Sequence, residues 1–161
     1  MIAGIGVDLC DVARIQRALT ATSGAAFRTR VFTPDEQAYC EGTGRRVRFE
    51  SYAARFAAKE AALKALGTGW SGGIGFTDVE VVRGDDGTPA LRLHGPAAAE
   101  ARRRRIVRWH LSLTHTHALA VATVVAEARG VRAAAASRTA RRHGAAAGSA
   151  PRRPRSRPGS R

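Results

Sequence analysis

From Ser51 to Leu66 the chain reads S-Y-A-A-R-F-A-A-K-E-A-A-L-K-A-L, without a glycine or proline, and Gly67 follows at once. Alanine, leucine, lysine and glutamate are strong helix formers, and a glycine just past the last periodic residue is a helix stop. The spacing therefore predicts one long helix that the rest of the fold must accommodate. At about 100° per residue, Tyr52, Phe56, Leu63 and Leu66 fall on one apolar stripe. Lys59 falls inside that stripe, with Arg55 and Glu60 on its flanks. Two readings are open at this point. In one, Lys59 buries its stem and keeps its ammonium wet, while Glu60 and Lys64 make an i,i+4 surface pair. In the other, the helix is the wall of a site for a multiply charged ligand, with a carboxylate to hold a metal.

A chain of 161 residues suits one compact domain with a real core. No apolar run is long enough to span a bilayer, and the start M-I-A-G-I-G-V-D lacks the basic region and apolar core of a secretory signal, so a cytoplasmic location is expected. Cys10 and Cys40 have no metal-type spacing and are expected to be reduced thiols. The net charge of +14 is unevenly distributed. Residues 1–127 hold 17 Lys+Arg and 13 Asp+Glu, a net of +4, whereas residues 128–161 hold 10 Arg and no acid. That Arg-, Ala- and Pro-rich stretch has almost no large apolar side chains to offset its ordering entropy and is expected to be a disordered tail on a domain spanning 1–127.

Within that domain, Ile2 to Leu9 reads as a strand with Ile5, Val7 and Leu9 on one face and Gly4, Gly6 and Asp8 on the other. Two glycines beside a carboxylate leave the backbone open to close approach. Asp11 is a good N-cap for a helix through Ile15 and Leu19, on which Arg14 and Arg17 lie off the apolar stripe. A Ser-Gly loop leads to Thr33-Pro34-Asp35-Glu36, the pattern of a capping box opening a short helix. Gly42 to Arg48 is a basic loop. Ile74 to Arg83 and Ala90 to His94 read as strands joined by the turn-rich stretch Gly84 to Pro89, and Pro96 to Arg105 as a helix. In W-H-L-S-L-T-H, alternation puts Trp109, Leu111, Leu113 and His115 on one face and the hydrogen-bonding row His110, Ser112 and Thr114 on the other. His110 and His115 thus point apart, a poor start for a zinc site. Leu119 to Ala126 is the returning strand.

Four stretches in this order, G-I-G-V-D-L-C-D-V-A-R at Gly4–Arg14, F-T-P-D-E-Q-A-Y-C at Phe32–Cys40, R-F-A-A-K-E-A-A-L-K-A-L-G-T-G at Arg55–Gly69 and H-L-S-L-T-H at His110–His115, resemble the short-type 4'-phosphopantetheinyl transferase family, the holo-[acyl-carrier-protein] synthases. The resemblance covers roughly residues 1–127. It implies an α+β fold, an antiparallel sheet packed on a long helix, present as a single unit that assembles as a homotrimer with sites at subunit boundaries. It implies transfer of the phosphopantetheine arm of coenzyme A, with Mg2+, to a serine of apo acyl carrier protein, leaving adenosine 3',5'-bisphosphate. By position, Asp8 and Glu60 match the metal-binding acids, and with Lys64 they form the implied catalytic set. Lys64, Arg55 and His110, with Ser112 and Thr114 in the same row, match the lining of the coenzyme A phosphates. Arg14 matches a position that meets the acidic carrier protein. Asp11 stands where the family often has glutamate.

The chemistry of the residues agrees. Mg2+ commonly takes only one or two carboxylates and completes its octahedron with water and substrate phosphate. The attacking serine belongs to the partner, which accounts for a chain without a Ser-His-Asp or Cys-His arrangement. The alternative function is a nucleic-acid-binding protein acting through the tail and the Arg102–Arg105 run. Charge without interleaved aromatics supports only salt-sensitive, sequence-blind association, so nucleic acid is not the expected partner. A membrane partner is not expected either.

Overall fold

The computed structural model describes residues 1–42, 48–69, 72–84 and 86–130. The expected disorder of the tail beyond Gly130, most of the basic loop after Gly42, and Asp85 of the hairpin turn lie outside the described residues, while Ala128, expected to open the tail, is the last residue of a strand. The elements run β1 (Ile2–Asp11), α1 (Val12–Thr20), α2 (Gly24–Val31), α3 (Pro34–Glu41), α4 (Phe49–Leu66), β2 (Val79–Arg83), β3 (Pro89–Leu93), α5 (Gly95–Arg103), β4 (Ile106–His115) and β5 (Leu119–Ala128). The fold is α+β, as the resemblance implies. An antiparallel sheet in the order β1-β5-β4 packs against α4, and β2-β3 forms a separate antiparallel hairpin. Met1–Gly130 forms one compact unit. Among the described residues, no helix is long and apolar enough to cross a membrane.

Local signals explain most element boundaries. Asp11 caps α1 by accepting from the Arg14 N–H at 3.0 Å, and Thr33 with Glu36 forms the expected capping box at the start of α3. Gly67 ends α4 in the left-handed conformation at φ 73°, which glycine adopts without the steric cost of a Cβ. Two expectations need correction. Residues 24–31, read as part of a loop, form α2; their apolar side chains follow no helical period, so the pattern gave no signal. The strand expected from Ile74 begins only at Val79, after a 3-10 turn at Phe76–Asp78.

Helix α4 is the centre of the core, and it is buried nearly all round rather than along one stripe. The alanines between its large apolar residues make this packing feasible. Ala53, Ala57, Ala58 and Ala61 are fully enclosed, as are Ala120, Ala122 and Ala126 on the facing side of β5. Strand β1 comes closer still. A Cβ added to Gly4 would lie 1.9 Å from the Ala65 carbonyl oxygen, and one added to Gly6 would lie 1.9 Å from that of Ala61. The glycine face of β1 thus lies on the helix, and Ile5, Val7 and Leu9 face outward, 59%, 52% and 57% exposed.

The surface reading of Lys59 is overturned. Its side chain is fully buried and its ammonium pairs with the equally buried Glu36 Oε2 at 2.8 Å. The ammonium also donates to the carbonyls of Phe76, at 3.0 Å, and Val79. Burial presses the Lys59 pKa below the ordinary lysine range, and Glu36 opposes that shift. Glu36 in turn accepts from the N–H groups of Thr33 and Val81, each at 2.9 Å, and the Thr33 hydroxyl donates to buried Glu80 at 3.0 Å. The capping box legible in the sequence is therefore half of an ionic network joining α3, α4 and β2.

Removing one partner of a buried pair strands the other charge, at a cost of about 3–5 kcal/mol. Lys59→Met is expected to destabilise the protein by that amount in denaturant melts, with part recovered in the Lys59→Met/Glu36→Gln double variant; equal stability of Lys59→Met and wild type would refute the pairing. Gly6→Ala drives a methyl into a backbone oxygen and is expected to cost at least about 2–3 kcal/mol in the same assay, whereas an unaffected midpoint would show that β1 and α4 can separate freely.

Candidate functional site

The close approach over Gly4 and Gly6 carries the next inward-facing residue of β1, Asp8, to the C-terminal half of α4. There Lys64 Nζ donates to Asp8 Oδ1 at 2.8 Å and to the Val7 carbonyl at 2.9 Å. Lys64 therefore pairs across to the strand, as the wall of a charged site would require. The Asp8 side chain is 18% exposed and that of Lys64 51%. Glu60, half-buried, precedes Lys64 by one helical turn on the same face. The Cys10 thiol is buried two residues further along β1. Burial pushes it up to about 11, Arg14 pulls it down, and Asp8, Asp11 and Glu60 push it up again. The Arg14 guanidinium carbon also lies 5.6 Å from the centre of the Phe56 ring on α4. Asp8, Glu60, Lys64 and Arg14 thus share one corner of the domain, where two carboxylates, an ammonium and a guanidinium are within reach of solvent.

Arg55 is elsewhere. It lies nine residues before Lys64 on α4, which is about half a turn of rotation and about 14 Å of rise away. Its guanidinium carbon sits 3.9 Å from the centre of the Tyr39 ring, and Nη1 donates to the Ser51 carbonyl at 3.3 Å. Its Nε is buried with no hydrogen-bond partner. Arg55 lines a cavity of about 220 Å³ together with Tyr39, Arg83, Gly87 and His115, a pocket whose three basic side chains suit an anion.

The row His110, Ser112 and Thr114 forms a third location. These side chains are exposed on the outer sheet face, opposite Val125, Thr123 and Val121 of β5, and His110 Nε2 lies 3.4 Å from Glu127 Oε1. The structure thus brings together Asp8, Glu60, Lys64 and Arg14, and leaves Arg55 and the His110 row apart from them. The basic residues it places with Arg55 are Arg83 and His115, neither of which sequence reasoning selected. Strand alternation had already separated His115 from His110, and that was the available signal. A larger cavity of about 510 Å³ lies between Gly67-Thr68 and α5. At its rim Arg103 and Arg104 are both held by Glu100, so they are partly neutralised for any ligand.

Comparison with known proteins converges on one family. The sequence pattern of the 4'-phosphopantetheinyl transferase superfamily matches residues 4–123. A holo-[acyl-carrier-protein] synthase of Solibacter usitatus is 49% identical over 79% of this chain and 99% of that protein. One of an Anaeromyxobacter species is 51% identical over 81% of this chain and 99% of its own length. Among solved structures, the holo-(acyl-carrier-protein) synthase of Bacillus anthracis in complex with CoA (3',5'-ADP) superposes with a TM-score of 0.64 at 36% identity, over 80% of this chain and 99% of that one. The Helicobacter pylori enzyme in complex with coenzyme A gives a TM-score of 0.65 at 27% identity, over 76% of this chain and 99% of that one.

The two thiols give a check on the packing near the Asp8 corner and near Arg55. Burial raises Cys10 to about 11 and Cys40 to about 12, and both side chains are enclosed. At pH 8 neither should be thiolate, so a chromogenic disulfide reagent is expected to titrate no thiol in the native protein and both after unfolding. Rapid reaction of one thiol in the native state would contradict this packing.

Proposed function

The chain belongs to the 4'-phosphopantetheinyl transferase superfamily, and from that premise we propose that it acts as a holo-[acyl-carrier-protein] synthase, moving the 4'-phosphopantetheine group of coenzyme A to a serine of apo acyl carrier protein. The observation that carries this reading at the level of chemistry is the pairing of Asp8 with Lys64 across the β1–α4 contact, with Glu60 one turn before Lys64 on the same helix. Two carboxylates offer hard oxygen donors at a solvent-reached corner, and no cluster of three metal-ligating side chains occurs among the described residues. That donor set fits Mg2+, which completes its shell with water and phosphate oxygen. In this reading Asp8 and Glu60 hold the ion, which supplies neutralisation of the pyrophosphate charge.

The chain's own groups do the rest. Lys64 binds a pyrophosphate oxygen and stabilises the charge that grows on the leaving phosphate. The carrier serine hydroxyl attacks the phosphorus bearing the pantetheine arm, and the bridging P–O bond breaks, so that adenosine 3',5'-bisphosphate leaves with the bridging oxygen. The serine proton passes to Glu60, directly or through one water. Arg14, exposed on α1 beside the same corner, meets the acidic surface of the carrier.

Arg55 and His115 supply the remaining phosphate contacts, and they do so from another subunit. Helix α4 stands between Arg55 and Lys64, so one coenzyme A touching both must lie across a boundary between copies. The outward row Ile5, Val7 and Leu9, flanked by Val121 and Val125 of β5, is an apolar sheet face of the kind a homotrimer would cover. His110, Ser112 and Thr114 belong to that face, and their contact with coenzyme A would also be made through assembly. The transfer chemistry resides in Met1–Gly130.

Incubation with apo carrier, coenzyme A and Mg2+ is expected to add the phosphopantetheine mass to the carrier, also with a chain cut after Gly130; an unmodified competent carrier would sink the reading. Asp8→Ala and Glu60→Ala should each lower turnover by about 100-fold or more. Co-expressed Arg55→Ala and Glu60→Ala subunits should regain activity that neither has alone, because a mixed oligomer contains a site with both side chains intact; no recovery would place the site within one subunit.

A further inference from the structure

We propose that the Lys64 ammonium holds the metal position on Asp8 when no substrate is bound, so that coenzyme A opens the metal site by drawing Lys64 away. The inference rests on the reading of Asp8 as a metal ligand and adds to it an order and a coupling. Lys64 Nζ lies 2.8 Å from Asp8 Oδ1 and 2.9 Å from the Val7 carbonyl. These are two oxygens of one strand segment, a carboxylate and a carbonyl, and both are hard donors of the type a divalent cation takes. The ammonium therefore occupies the place of a cation with oxygens of the same kind. Asp8 Oδ2 does not relieve the competition, because an ammonium and a divalent ion on one carboxylate repel each other.

Lys64 is also suited to leave. Its side chain is 51% exposed, against 18% for Asp8, and a four-carbon stem lets the ammonium swing while its base stays in the helix. Contrast Lys59, five residues earlier, whose ammonium is enclosed and fixed by a carboxylate and two carbonyls. A pyrophosphate arriving at this corner offers Lys64 an acceptor of greater charge than Asp8. Once Lys64 turns to it, Asp8 Oδ1 and the Val7 carbonyl are released. Ligand and metal thus favour one another, and linkage requires the effect to be mutual.

The test is Mn2+ binding to the full chain, followed by the electron paramagnetic resonance of free Mn2+ without coenzyme A. Lys64→Met is expected to bind Mn2+ about three- to tenfold tighter than wild type, the size of a partly exposed ion pair plus the removed repulsion. Lys64→Arg, which keeps a cation there, should stay near wild type. At saturating coenzyme A the gain in Mn2+ affinity should be larger in wild type than in Lys64→Met by the same factor. Asp8→Asn separates the two levels of the argument. If it binds Mn2+ as wild type does, Asp8 is not a ligand and the underlying reading fails. If it loses binding while Lys64→Met binds no tighter than wild type, Asp8 is a ligand and the proposed competition is wrong.

Discussion

The contact on which the rest of the structure depends is the approach of β1 to α4 over Gly4 and Gly6. At both glycines a helix carbonyl oxygen occupies the space a Cβ would need, so no other residue fits without separating strand from helix. The consequence is geometric. Asp8 continues the inward row of those glycines, and only a strand this near the helix lets a carboxylate one carbon long meet Lys64. Small residues on β1, α4 and β5 thus serve two ends, dense packing and the placement of a charged site at its margin.

The chain has only two lysines among its 27 Lys+Arg residues, and both are on α4. Their surroundings separate their roles. Lys59 is sealed in with Glu36, and a pair so buried gains little net stability from its attraction after desolvation. What it contributes is register, because its ammonium is satisfied only when Glu36 of α3 and the carbonyls of Phe76 and Val79 all arrive. Lys64, at the exposed margin, holds its partner reversibly. A compact ammonium on a flexible stem suits both positions better than the forked guanidinium used everywhere else in the sequence.

How far the sequence disclosed this depends on the range of each interaction. The α4 helix, its glycine stop, the Asp11 cap and the Thr33–Glu36 capping box are set by residues within one turn of each other, and each was legible. The burial of Lys59 was not, because its carboxylate partner is 23 positions upstream and the stripe shows only that a charge sits among apolar residues. The α2 helix forms from a segment whose composition carries no period. Alternation divided β1 into two faces without saying which one is inside, and here the row richer in bulk is the outer one. The same alternation separated His115 from His110, yet the resemblance directed attention to the histidine that the structure leaves on the outer sheet face.

Arg55 shows why part of the candidate site is incomplete within the single chain. Its guanidinium is flattened against Tyr39 and tied to the Ser51 carbonyl, so its orientation is fixed before any ligand arrives. Its Nε is nevertheless a buried donor without an acceptor, a condition that costs about 1–3 kcal/mol relative to a satisfied group. Folded proteins rarely keep such a donor unless something else completes it. The adjoining cavity offers an anion the same guanidinium, with His115 and Arg83 on the other walls. The outer face of the sheet is unfinished in a second sense, since it leaves a bulky apolar row in water. Both features sit away from the Asp8 corner, and one arrangement satisfies both. In the proposed assembly, copies that cover the sheet face would also bring the Arg55 cavity of one subunit toward the Asp8 corner of the next, so that burial of the apolar row and completion of the anion site would become a single event.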